Sequence, residues 1–130
     1  MDIPKNDDEW RARLTPEQFQ VLRKHGTEQA STSALNSEHR DGVFTCAGCG
    51  LPLFRSETKF DSGTGWPSFW APSSGESVAT EEDRASFMRR TEALCRGCGG
   101  HLGHVFRDGP KPTGLRYCIN SAALKLEKRG

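Results

Sequence analysis

The chain has 130 residues, 34% of them hydrophobic, with 18 Lys and Arg against 17 Asp and Glu, for a net charge of +1. That length fits one compact domain spanning 1–130, with a thin core of the kind that often needs a covalent or metal staple. A near-neutral chain with no basic run longer than Arg89-Arg90 argues against nucleic acid and against a membrane surface, and no apolar stretch approaches the roughly 18 to 20 residues of a bilayer span.

The start, MDIPKNDDEW, is polar and acidic, unlike a secretory signal. Two CxxC pairs without such a signal read as metal ligands or redox groups, so a reducing, cytoplasmic compartment is expected. LTPEQFQVLRKHG then predicts a helix over about Pro16 to His25. Thr15 suits the N-cap, Pro16 the first helical position and Gln18 a capping box, while Phe19 and Leu22 recur at helical spacing and Gly26 stops the run. Residues 27–41 are polar and read as a loop. From Gly42 onward the signals are β: GVFTC, KFDSG, SFWAP, SVAT, RASFMRRTEALC, HVF and LRYCINSAALKL are short runs separated by Gly, Pro, Ser and Asp. Such strands predict a mainly β fold, an antiparallel sandwich or open barrel. The charged tail, LEKRG, is expected to fray.

CAGCG (Cys46, Cys49) and CRGCGG (Cys95, Cys98) are near copies. A tight CxxCG turn aims two sulfurs at one point, and four thiolates complete a tetrahedral Zn²⁺ shell with no open position, so the site is structural. The alternative is a pair of local disulfides or independent redox motifs, but a redox CxxC opens a helix in a βαβ setting, which this sequence lacks.

Cys118, in RYCINS, belongs to neither pair. On a strand LRYCINSAAL, Arg116, Cys118 and Asn120 share one face and Tyr117, Ile119 and Leu124 take the other. A structural cysteine would sit among apolar residues. Cys118 instead shares its face with a guanidinium, which favours the nucleophilic thiolate, and with a carboxamide able to orient a polar atom. His101 and His104, in GGHLGHVF, can exchange a proton near neutral pH. Three residues apart on a straight strand they face opposite sides, so both reach one site only if the backbone bends, which Gly103 permits. His25 and His39 read as surface residues. In GTGWPSFW, Gly63, Gly65 and Pro67 form an irregular turn that presents Trp66, either as a plate for a small apolar group or as core filling alongside Phe69 and Trp70.

CxxC, then KFDSGTGWPSF, then CRGCGGHLGHVFRDGPKPTGLRYCINS, in that order from about Leu14 to Leu126, resembles the B-type methionine sulfoxide reductases. The resemblance implies a reductase domain at about 10–127 built from two antiparallel sheets with short N-terminal helices. It implies one structural Zn²⁺ on Cys46, Cys49, Cys95 and Cys98. It also implies a catalytic Cys118 assisted by His101, His104 and Asn120, and a substrate methyl group packed on Trp66 with Phe106 nearby; Arg116, from its place on the Cys118 face, is counted with these as a substrate-binding residue. The substrate would be methionine-R-sulfoxide, free or in proteins, and the cysteine sulfenic acid left behind would be reduced by thioredoxin or another thiol. Many members carry a resolving cysteine where this chain has Thr64, and others carry one in the N-terminal loop, where Ser31 and Ser33 stand here. With four thiols committed to zinc, Cys118 is expected to depend on an external reductant. A monomer is expected. The rival readings are a zinc-bearing β-module that binds through Trp66 and a zinc ribbon for nucleic acid. The Arg116-Cys118-Asn120 face with two histidines weighs against the first, and the charge balance against the second.

Overall fold

The computed structural model describes residues 6–24, 42–60, 63, 65–83 and 90–128. Helices α1 (Asp7–Arg13) and α2 (Pro16–Lys24) precede strands β1 (Gly42–Cys46), β2 (Pro52–Arg55), β3 (Lys59–Phe60), β4 (Ser68–Phe69), β5 (Val78–Asp83), β6 (Arg90–Cys95), β7 (His101–Phe106), β8 (Arg116–Ile119) and β9 (Leu124–Lys128). All pairings are antiparallel, in one sheet ordered β2-β1-β9 and another ordered β3-β4-β8-β7-β6-β5. This is the mainly β, two-sheet fold with short N-terminal helices that the sequence predicts. No helix of the described residues is long and apolar enough to cross a membrane.

The capping box is formed as expected. Thr15 N–H donates to Gln18 Oε1 at 2.9 Å and Gln18 N–H to Thr15 Oγ1 at 3.2 Å. α2 ends at Lys24; His25, like His39, lies outside the described residues. The resemblance implies short N-terminal helices, but the residue pattern places only α2 and gives no position for α1. Asn6 caps it by accepting from Glu9 N–H at 2.9 Å, and acidic Asp7, Asp8 and Glu9 fill its first turn. Trp10 is its buried anchor, with the Arg23 guanidinium 4.5 Å above the ring.

Two expectations are corrected. LRYCINSAALKL is not one strand. Asn120 ends β8, Ser121–Ala123 forms a 3₁₀ turn closed by Ala123 N–H on the Asn120 carbonyl, and β9 then enters the other sheet. Leu124 therefore does not continue the Tyr117–Ile119 face. The tail also holds its place through Lys128, because β9 pairs with β1 from Leu124↔Cys46 to Lys128↔Gly42. Exposed Lys125 and Glu127 alternate with Leu126, the pattern of an edge strand that keeps charge in water.

Between the sheets, Phe54 stacks on Phe69 at 4.4 Å, Phe44 meets Phe69 edge-on at 5.1 Å, and Tyr117 lies 5.7 Å from Phe54. Phe69, Tyr117 and Ile119 thus spend the inner face of β4 and β8 on the core. Strand alternation leaves the opposite face of the same strands for polar residues.

Candidate active site and metal centre

The two knuckles are structural copies. Cys46 N–H donates to the Leu51 carbonyl and Gly50 N–H to the Cys46 carbonyl; Cys95 N–H donates to Gly100 and Gly99 N–H to Cys95, at the same offsets. Gly50 and Gly99 hold φ of 82° and 74°, the left-handed backbone that this turn requires. All four sulfurs lie within 4.8 Å of one another, with Cys46–Cys98 at 3.8 Å and Cys49–Cys95 at 3.5 Å. A tetrahedron of Zn–S bonds of about 2.3 Å has S···S edges of about 3.8 Å, so the four cysteines are positioned to bind one metal ion, with zinc the natural occupant. Gly48 N–H points at Cys46 Sγ at 3.4 Å. Hydrogen bonding from Cys46 pulls the Cys98 thiol down and holds Cys49 at about 7, while hydrogen bonds to Cys49, Cys95 and Cys98, together with burial, push Cys46 up. α2 covers the centre, with Leu22 against Gly100 and Arg23 donating to the Cys98 carbonyl at 3.0 Å.

The second constellation is a row across four strands. Glu92 on β6 faces His104 on β7, His104 faces Cys118 on β8, and Cys118 faces Ser68 on β4. Directly opposed residues in antiparallel strands share a face with Cβ atoms about 4.5–5.5 Å apart. Phe106 and Arg116 form the next pair on that face, and the Arg116 guanidinium lies 4.3 Å over the Phe106 ring. Cys118 is half-buried, His104 is buried, and Ser68 is fully buried with its hydroxyl donating to the Trp66 carbonyl.

The predicted bend exists and sits at Leu102. Ala93 pairs with Gly103 but Leu94 pairs with His101, so β7 carries one extra residue against β6. That insertion cancels the odd spacing and turns His101 and His104 to the same side, their rings edge to face at 5.4 Å. Asn120 pins the bulge from the β8 side. Its backbone N–H and its Nδ2 both donate to the Leu102 carbonyl, at 2.9 and 3.0 Å. Gly103 passes so close to β8 that a Cβ there would run into the Cys118 carbonyl.

Three contributors escape a reading of sequence alone. Asp108 grips Arg116 with both oxygens, Nε–Oδ1 at 2.8 Å and Nη2–Oδ2 at 3.1 Å. That bond holds the Asp108 carboxyl below its ordinary range. Asp108 keeps the guanidinium charged, and the Cys118 thiol adds to this through charge and a hydrogen bond. Arg116 lies two residues before Cys118 on β8, so the strand puts the guanidinium and the sulfur on the same face. Glu92 is the second: it is buried, and its Oε2 meets His101 Nδ1 at 2.5 Å. Ser68 is the third. The Asp108–Arg116 spacing across a Gly-Pro hairpin was the available sequence signal; for Glu92 and Ser68 the signal is the strand register, which the sequence does not carry. Trp66 is half-buried between Gly65, at φ 89°, and Pro67, whose carbonyl accepts Ile119 N–H at 2.9 Å, so this loop is tied to the end of β8. Thr64, Ser31 and Ser33 lie outside the described residues.

A family model described as the SelR domain matches residues 14–128. The chain is 54% identical over 127 residues to a protein of Leptospira interrogans named peptide methionine sulfoxide reductase MsrB, covering 98% of this chain and 97% of that one. A protein of the same name from Thiobacillus denitrificans is 55% identical over 128 residues, covering 98% and 97%. Another from Methanosarcina mazei is 52% identical over 126 residues, covering 97% and 90%.

Proposed function

The chain belongs to the SelR domain family, and on that footing we propose that it reduces methionine-(R)-sulfoxide, free or in proteins, to methionine. The observation that carries this reading is the cross-strand pairing of Cys118 with His104, with Arg116 two residues before the cysteine on the same face of β8. A guanidinium next to a thiol favours the thiolate, and the thiolate is the attacking form.

In the reaction, Cys118 S⁻ attacks the sulfoxide sulfur, which becomes electrophilic only as its oxygen takes a proton. His104, opposite the nucleophile, supplies that proton, with His101 and Asn120 assisting; Asn120 also fixes the bulge that aims both rings. The new Sγ–S bond is transient: the protonated oxygen shifts from the substrate sulfur to Sγ as that bond breaks, so thiolate, sulfoxide and one proton yield Cys118 sulfenic acid and the thioether. The cysteine sulfur loses two electrons and the substrate sulfur gains them. Trp66, with Phe106 and the Arg116 stem, offers the apolar side on which the methyl group packs. Oxygen toward the histidines and methyl toward Trp66 leave one place for the rest of the side chain, which selects the R epimer. The zinc centre on Cys46, Cys49, Cys95 and Cys98 is structural: with all four positions filled by thiolates, the ion offers no site for substrate.

The remaining parts of this reading are a single reductase domain at about 10–127, a monomer in the cytoplasm, and a sulfenic acid returned to thiol by an external reductant such as thioredoxin. The test is turnover of each pure epimer of a methionine-sulfoxide peptide with dithiothreitol. Reduction of R alone is expected. Equal reduction of both would remove the three-point site, and reduction of neither would return the chain to a binding module.

A further inference from the structure

We propose that Glu92 is a positioning residue for the reductive step: it holds the His101 ring through Nδ1 and so fixes the histidine pair that faces Cys118. The proposal rests on the reductase reading above.

Glu92 is 8% exposed and His101 1% exposed. Burying such a pair is a poor route to stability, since apolar side chains of the same volume usually do as well. A buried carboxylate at this point therefore calls for another reason. Geometry supplies one. Glu92 heads the row that runs through His104 and Cys118 to Ser68. Its carboxylate accepts from His101 Nδ1, and the His101 ring stands edge-on to His104 at 5.4 Å. A hydrogen bond at Nδ1 fixes both the rotation of an imidazole and which nitrogen carries the hydrogen, leaving Nε2 to act at the far side of the ring. The bulge at Leu102 makes this arrangement possible, because it brings His101 round to the face that Glu92 already occupies. The hydrogen bond to His101 is the contact through which Glu92 sets the histidine pair.

The test compares the wild-type enzyme with Glu92→Leu and Glu92→Gln, each loaded with zinc. Methionine release is followed in a single turnover as peptide sulfoxide is varied, and the His101 ring is followed by nitrogen-15 NMR. A positioning role predicts a saturating rate lower by roughly 10- to 100-fold in Glu92→Leu, with half-saturation within about twofold of wild type. It predicts partial recovery in Glu92→Gln, which keeps an acceptor oxygen without the charge, and displaced His101 ring resonances in both. A wild-type rate in Glu92→Leu overturns the proposal, as does a loss of rate matched by loss of zinc. If Glu92→Leu does not fold, Glu92→Gln decides: a wild-type rate with unmoved ring resonances overturns it. Failure of wild type to reduce the R epimer would instead overturn the reductase reading, so the two failures are distinguishable.

Discussion

Removing the metal should destabilise the fold by an amount that chain geometry sets. The centre joins the end of β1 to the end of β6, and the Cys49–Cys95 contact closes a segment of 46 residues. Treating the ion as a cross-link across that segment, loop-closure entropy gives about 4 kcal/mol at 25 °C. For a domain of this size that corresponds to a fall in Tm of roughly 10–20 °C. The assay is calorimetry on holo protein and on protein stripped by a strong chelator, with thiols kept reduced throughout. Cys118→Ser is the control: it should keep one zinc and the holo Tm while losing turnover, because its sulfur lies outside the metal shell. A stripped chain that melts within about 3 °C of the holo form would refute the cross-link reasoning. A Cys118→Ser chain that loses zinc would refute the division of labour among the five thiols.

Arg116→Met removes the cation beside Cys118 while keeping much of the stem over Phe106. The cation favours the thiolate in the folded protein, so without it the pH at which Cys118 becomes reactive must rise. The iodoacetamide alkylation profile is expected to move to higher pH, and an unshifted profile would place the charge elsewhere. Gly103→Ala forces a methyl group into the Cys118 carbonyl, backbone against side chain with no flexible atom to yield. It should destabilise by about 1–3 kcal/mol and lower the single-turnover rate, read by urea denaturation and methionine release; wild-type values in both would show that β7 and β8 can part at no cost. After one turnover without reductant, intact-mass and peptide analysis should find Cys118 as a sulfenic acid or its trapped adduct. An internal disulfide to Cys118 would mean that a metal-site thiol is diverted.

The features legible in the sequence are those whose determinants lie within a few residues. Each knuckle is closed by hydrogen bonds reaching no further than five residues, so CxxCG alone announces it. α2 is likewise announced by the reciprocal bonds of Thr15 and Gln18. α1 has a comparable signal in Asn6 and Glu9, but seven residues with one buried side chain show no periodicity. The break after Ile119 was hidden because Ala122 and Ala123 continue the apolar pattern while the backbone turns. The site itself is divided the same way. Alternation on a single strand groups Arg116 with Cys118, and Gly103 signals a bend. Which β6 residue stands opposite His104, and that the extra residue of the bulge is Leu102, follow from a register set by the packing of six strands. Glu92 and Ser68 are active-face residues for that reason alone.

The same strands serve both the core and the chemistry, and the parity of β8 keeps the two apart. Tyr117 and Ile119 face the aromatic layer with Phe69 and Phe54, while Arg116 and Cys118 face outward to His104 and Phe106. A one-residue slip of β8 would bury the guanidinium and expose the tyrosine, so the hydrophobic core fixes the register of the nucleophile. β6 carries a second link: Cys95 belongs to the four-cysteine cluster at its end, and Glu92 stands three residues earlier at the head of the row that runs through His104 and Cys118. The staple and the row thus share one strand, so anchoring the end of β6 at the metal site also anchors the stretch that carries Glu92. Those four thiols converge on the metal site, which leaves Cys118 as the one cysteine on the His104 face, and under the proposed reaction the oxygen it takes up leaves as water when an outside thiol attacks the sulfenic sulfur.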